Sequence, residues 1–108
     1  MITASGELVP AVTTYYSNGN NAPNALTSWK PNRDGTGTSP ANFLAGNIFV
    51  VQGTGNGGTT PHSMTTSATW SVSGTNSAVI IENGATLTAT SAITHRFYNY
   101  FSNKRWRL

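Results

Sequence analysis

The chain has 108 residues, the length of one small domain. Its 17 Thr, 12 Asn, 11 Ser and 11 Gly, with only 8% charged residues, exclude the charge-rich surface of an ordinary cytosolic domain, where about 25% of residues are charged. The net charge of +3 excludes a basic domain as well: positions 1–95 sum to −1, and Arg96, Lys104, Arg105 and Arg107 all lie within positions 96–108.

The absence of cysteine removes disulfides, thiol nucleophiles and Cys-ligated zinc. No stretch approaches the roughly 18–20 apolar residues of a membrane span. Met1–Pro10 has neither a basic n-region nor an apolar h-region, so no signal peptide is visible in this chain. Thr suits strands because its branched Cβ fits a pleated surface. Asn, Gly and Ser suit tight turns. Good helix formers are scarce, with two Glu and two Lys in all. Many short strands joined by tight turns are predicted.

In chain order, Met1–Val12 carries no pattern, and residues 1–13 are left unassigned. Thr13–Ser17 reads as a short strand. Asn18–Asn24 is turn chemistry throughout, and Ala25–Trp29 reads as a helical turn or a strand. Lys30–Pro40 is a Pro/Gly/Thr loop, and Ala41–Gly46 is a helical turn or loop. Asn47–Gln52 is the first clear strand, followed by the flexible loop Gly53–Pro61. Further strands are predicted at Ser63–Thr66, Thr69–Ser73, Ala78–Glu82, Thr86–Thr90 and Ala92–Thr94. Such close, regular spacing indicates an all-β fold.

The chain also repeats. Phe49-Val50-Val51-Gln52, a loop and His62–Ala68 parallel Val79-Ile80-Ile81-Glu82, an Asn83-Gly84 turn and Ala85–Ala92. Met64 matches Leu87, and Ser67 matches Ser91. The first copy differs in its longer loop. The resulting period of about 23–24 residues falls within the range of about 20–30 that a solenoid coil needs, each coil stacking its apolar positions on the next. The expected fold is therefore all-β, with residues 14–94 forming the first coils of a β-solenoid and a small β-sandwich as the alternative. The inward candidates are Ile48, Val50, Met64, Trp70, Val72, Val79, Ile81, Leu87 and Ile93.

Three segments carry a resemblance: Thr14–Phe43 (TYYSNGNNAPNALTSWKPNRDGTGTSPANF), NIFVVQ, and His62–Ala92 (HSMTTSATWSVSGTNSAVIIENGATLTATSA). Together they resemble the N-terminal region of Bacteroidetes-type secreted or cell-surface β-solenoid proteins. Tyr-Tyr near the mature start, a Trp-containing segment and an I-x-N-G-A-T-L-T coil are the shared features. The resemblance implies a parallel β-helix-like stalk in an extracellular or cell-surface protein. It implies no activity, because the region is scaffold in many different proteins. The chain departs from the pattern in lacking a leader, in its long Gly loop, and after Thr94.

His95–Leu108 contains no Gly, Thr, Ala, Pro, Val or Ile, yet it holds five of the eleven aromatics and four of the six basic residues. It reads as a separate basic aromatic tail, a non-native continuation left by truncation or a shifted frame. A native cap or basic aromatic strand is the alternative.

Candidate chemistry is sparse. Gly53-Thr54-Gly55-Asn56-Gly57-Gly58 fits G-x-G-x-x-G after a strand, but a dinucleotide site needs a helix next, to hold the pyrophosphate. Thr59–Ser73 has Pro61 and no Leu, Glu, Lys or Arg, so a loop insertion is expected. Only Glu7, Asp34 and Glu82 could form the acid pair that glycoside hydrolysis uses. Glu82 reads as a turn residue matched by Gln52. A Ser-His-Asp triad would have to use Asp34 with His62 or His95, and no nucleophile elbow is present. Asn32–Thr38 resembles a calcium loop with one carboxylate, too few for the six to eight oxygens calcium takes. Thr86, Thr88 and Thr90 share a strand face. Ice binding would need that row on several coils, so solvated Thr is expected. The tail's mixed basic and aromatic residues could grip nucleic acid or a membrane surface, but neither partner is expected.

No catalytic, metal or cofactor site is therefore expected. The leading expectation is a non-catalytic structural or adhesion-type segment of a larger secreted or cell-surface protein. The alternative is a carbohydrate-binding module in which Tyr15, Tyr16, Trp29 and Trp70 offer ring faces to sugars. Glycans, or neighbouring coils and chains stacking on open edges, are the partners these readings allow.

Overall fold

The β-branched and aromatic residues cluster in short runs, and these runs become the strands. The computed structural model describes residues 12–54, 60–90, 93–94, 97–99 and 105–107. It contains β1 (Thr14–Ser17), β2 (Trp29–Lys30), β3 (Ile48–Val51), β4 (Ser63–Thr65), β5 (Trp70–Ser71), β6 (Ala78–Ile81), β7 (Thr86–Thr88), β8 (Ile93–Thr94), β9 (Phe97–Asn99) and β10 (Arg105–Arg107). One 3-10 turn, Leu26–Ser28, leads into β2. The fold is all-β, and no helix among the described residues is long and apolar enough to cross a membrane.

The strands form a five-stranded sheet in the order β2-β1-β3-β6-β9, a three-stranded sheet β10-β7-β4 and a pair β5-β8. The β1–β2 pair is antiparallel. Every other pairing among the described residues is parallel. The two repeat copies lie side by side in register. Phe49 pairs with Val79, Met64 with Leu87 and Trp70 with Ile93. The first of these pairs has the widest sequence separation, because the long loop between β3 and β4 lies inside it. Thr66 and Thr90 link the copies again, the Thr90 N–H donating to Thr66 Oγ1 at 2.8 Å.

Period-two alternation sets the faces of β4 and β7. Met64 and Leu87 are buried, while Ser63, Thr65, Thr86 and Thr88 lie on the outer side. The same rule fails to phase β3 from sequence, because IFVV is apolar throughout. Ile48 and Val50 are the inward candidates by sequence, yet the core takes Phe49 and Val51, which stand beside Val79 and Ile81. Val50 is buried outside that cluster and Ile48 is half-buried. The bulk of the Phe49 ring decides the phase, because it fills the centre of the core. Met64, Trp70, Val72, Val79, Ile81 and Leu87 lie in the core as expected, with Ile93 against it.

At Gly53 the backbones of the two copies approach closely. A Cβ there would lie 2.0 Å from the Asn83 carbonyl oxygen, to which the Thr54 N–H donates at 2.9 Å. The close approach explains the first glycine of the G-x-G-x-x-G run, whose residues 55–58 lie outside the described residues.

Strand pairing continues past Thr94, where the sequence pattern stops. β9 pairs in parallel with β6, and β10 with β7. Aromatic residues are good strand formers, so the change in composition there leaves strand propensity intact.

Candidate functional site

Two clusters concentrate the residues capable of recognition or chemistry. The first is aromatic. Trp29 begins β2 and Trp70 begins β5, and their rings stack with centroids 5.7 Å apart. Phe49 meets Trp29 edge-on at 5.1 Å, Phe43 edge-on at 5.3 Å, and Tyr15 face-on at 5.8 Å. Offset and edge-to-face pairs of this kind contribute about 0.5–1.5 kcal/mol each beyond the area they bury. Trp29 is 0% exposed and Trp70 1% exposed. Neither has a ring face open to solvent, as the carbohydrate-binding alternative would need, and Trp70 lies inward as its strand position suggests. Their large apolar surfaces gain more from the core than from solvent. Trp29 also satisfies its indole N–H by donating to the Pro23 carbonyl at 2.8 Å. The indole N–H of Trp70 has no partner among the described residues. Tyr15 is half-buried on Phe49, and Tyr16 is half-buried beneath the Arg33 guanidinium, 4.4 Å from its ring centroid.

The second cluster is polar and lies where β1, β3 and β6 end. Glu82 follows β6 and opens the Asn83-Gly84 turn as expected, its carbonyl accepting the Ala85 N–H at 3.0 Å, but its side chain is turned inward and nearly fully buried. Both its carboxylate oxygens take hydrogen bonds from Arg33, each at 2.9 Å. Oε1 also accepts the Gly53 N–H at 3.2 Å. Gln52, at the matching position of the first copy, accepts from Arg33 at 3.3 Å and donates to the carbonyls of Ser17 and Arg33 at 2.9 and 3.0 Å. The hydrogen bonds to Glu82 hold the Arg33 pKa above its ordinary value, against the opposing effect of burial. The hydrogen-bonding side chains of this set therefore tie strand ends and the Arg33 loop to one another.

Ser17 Oγ lies 2.6 Å from His62 Nδ1 and accepts the Gln52 N–H at 2.9 Å. Burial lowers the His62 pKa, favouring the neutral imidazole, whose tautomer sets which of the two atoms donates in this hydrogen bond. A serine–histidine pair can generate a nucleophile, but only if the hydroxyl can reach a substrate. Ser17 is 1% exposed. No carboxylate hydrogen-bonds to His62 among the described residues, and Asp34 is occupied elsewhere. Its Oδ1 accepts the Thr36 N–H at 3.0 Å and the Thr36 hydroxyl at 2.6 Å, bonds that lower its pKa. The same bonds close the Asn32–Thr38 loop as a turn. Among the described residues no group of three or more His, Cys, Asp or Glu is placed to hold a metal ion. Glu7 and His95 lie outside the described residues.

The Arg33–Glu82 pair was invisible to sequence reasoning because its members stand 49 residues apart. The usable signal was the equivalence of Gln52 and Glu82 in the repeat, since polar residues at matching positions can meet between stacked copies. A scan against protein-family models, a search of curated proteins and a search of solved structures each find no match to this chain.

Proposed function

We propose that the chain forms the capped opening coils of a β-solenoid and serves as a non-catalytic structural or adhesion-type segment of a larger secreted or cell-surface protein. The observation that carries this reading is the in-register parallel stacking of Phe49 on Val79, Met64 on Leu87 and Trp70 on Ile93. A small sandwich built from hairpins would instead pair successive strands antiparallel. Parallel stacking of one repeat copy on the next is how a solenoid buries each coil's apolar face. The sparsely charged, Thr- and Asn-rich composition and the resemblance of residues 14–92 to extracellular stalks support a place outside the cell. Burial of Trp29 and Trp70 favours scaffold over carbohydrate binding.

Duplicating one coil tests the architecture. A second copy of residues 68–90 inserted after Thr90 adds one stacking interface, and Tm is expected to rise by about 5 °C or more. Loss of cooperative unfolding would overturn the solenoid reading. A glycan array tests the function: no selective ligand is expected. A selective ligand whose binding Tyr15→Ala or Tyr16→Ala abolishes would replace scaffold with recognition.

A further inference from the structure

Among the described residues, the sheet order β10-β7-β4 leaves β4 at an edge. Its inner side is paired: the Thr86 N–H donates to the His62 carbonyl and the Thr66 N–H to the Thr88 carbonyl, both at 3.0 Å. Backbone groups of successive strand residues point to opposite sides, so those of Ser63 and Ser67 face away from β7. An edge of this kind is a template for another chain's strand. Here two side chains occupy it. Asn20 Oδ1 accepts the Ser63 N–H at 2.8 Å, and Asn24 Oδ1 accepts the Ser67 N–H at 2.9 Å. The spacing of the two Asn along the chain thus equals the spacing of the two edge amides they meet. The segment bearing them is itself anchored. The Ser28 hydroxyl donates to the Ala22 carbonyl at 2.6 Å, the Asn18 N–H donates to the Ser28 carbonyl at 2.8 Å, and the Trp29 indole holds Pro23.

We propose that Asn20 and Asn24 form an edge guard that keeps a second copy of this chain from adding a strand to β4. A second copy is the matched occupant because its own β4 carries the same edge, paired on one side only among the described residues, so that two β4 strands can lie side by side with their Thr65 positions close together. The uncovered edge presents the same spacing of backbone groups to a strand from outside. The guard uses side-chain amides rather than a strand, so it occupies the Ser63 and Ser67 donors on either side of Thr65 without offering a new edge of its own. The inference rests on the solenoid reading and names what its first coil must be protected from.

The chain has no cysteine, so Thr65→Cys on the exposed face of β4 provides a single reporter. In that background, Asn20→Ala/Asn24→Ala is expected to raise the yield of disulfide-linked dimer on the order of tenfold, from the loss of two hydrogen bonds that compete with pairing. Asn20→Asp/Asn24→Asp keeps the acceptor oxygens and is expected to stay at the background yield. Equal yields from all three chains would overturn the guard. If the Ala pair fails to fold, amide exchange in the unsubstituted chain decides: protected Ser63 and Ser67 amides in dilute monomer support the guard, and freely exchanging ones overturn it. Coil duplication separates the two claims. A stabilising duplication with a flat disulfide yield removes the guard alone, whereas a destabilising duplication removes the solenoid reading beneath it.

Discussion

Removing Arg33 should be far more damaging than its partly exposed position suggests. The Glu82 side chain is 4% exposed and that of Arg33 is 35% exposed. In Arg33→Ala the carboxylate keeps the Gly53 N–H but loses both charged donors. Breaking a fully buried pair by removing one partner costs about 3–5 kcal/mol. Arg33 is more than a third as accessible as a free side chain of its type, so water enters the vacated space and screens the remaining charge, which reduces that figure to about 2 kcal/mol. Loss of the guanidinium over Tyr16 adds about 0.5 kcal/mol. Urea unfolding followed by tryptophan fluorescence reads the change directly, because Trp29 and Trp70 are both buried. Glu82→Gln should cost less, about 1 kcal/mol, because Arg33 remains able to hydrate. The double variant should then fall well short of the sum of the single losses, as it does for residues in direct contact. An Arg33→Ala loss below about 0.5 kcal/mol, or strict additivity in the cycle, would refute the reasoning.

Three further outcomes follow from particular contacts. Trp29→Phe should destabilise by about 1 kcal/mol more than Trp70→Phe, because only Trp29 has its indole N–H bonded, to Pro23; equal losses in thermal melts would contradict this. Gly53→Ala should cost about 2 kcal/mol or more, since its Cβ would strike the Asn83 carbonyl; an unchanged Tm would deny that close approach. The folded-state pKa of His62 lies below its ordinary 6.5, so the unfolded chain binds the proton first as pH falls. The neutral ring's contribution to stability is fully present above pH 6.5 and is lost as pH falls from there towards the folded value. Urea midpoints measured on either side of that ordinary value should therefore differ more in the parent chain than in His62→Gln, and identical differences would exclude a half-buried imidazole held neutral by desolvation.

Much of the strand order was legible because hydrophobic spacing carries it. The match of Met64 to Leu87 and of Gln52 to Glu82 came from the repeat, and the offset between the copies came from the Gly loop. The phase of β3 was not legible, since a run that is apolar at every position gives alternation nothing to mark. Nor was the burial of Trp29, which no repeat position marks, whereas Trp70 was placed inward by its strand. A tryptophan in a Thr- and Asn-rich chain reads equally as a sugar platform or a core anchor until its neighbours are known. Phe43, Phe49 and Tyr15 decide that question, and they arrive from three separate stretches of chain. The Arg33–Glu82 and Ser17–His62 pairs were hidden for the same reason, because long-range polar contacts leave no periodic trace. The Asn20 and Asn24 caps were concealed by their own chemistry: in a turn-rich segment, Asn reads as a turn residue, and its role as an acceptor for a distant strand edge has no local signal.

The central claim is parallel, in-register stacking of the two repeat copies. Interstrand nuclear Overhauser contacts test it most directly. Contacts joining Phe49 to Val79 and Met64 to Leu87 are predicted, with the Trp29 and Trp70 rings in mutual contact. Short Hα–Hα contacts between these strands, the signature of antiparallel pairing, would contradict it.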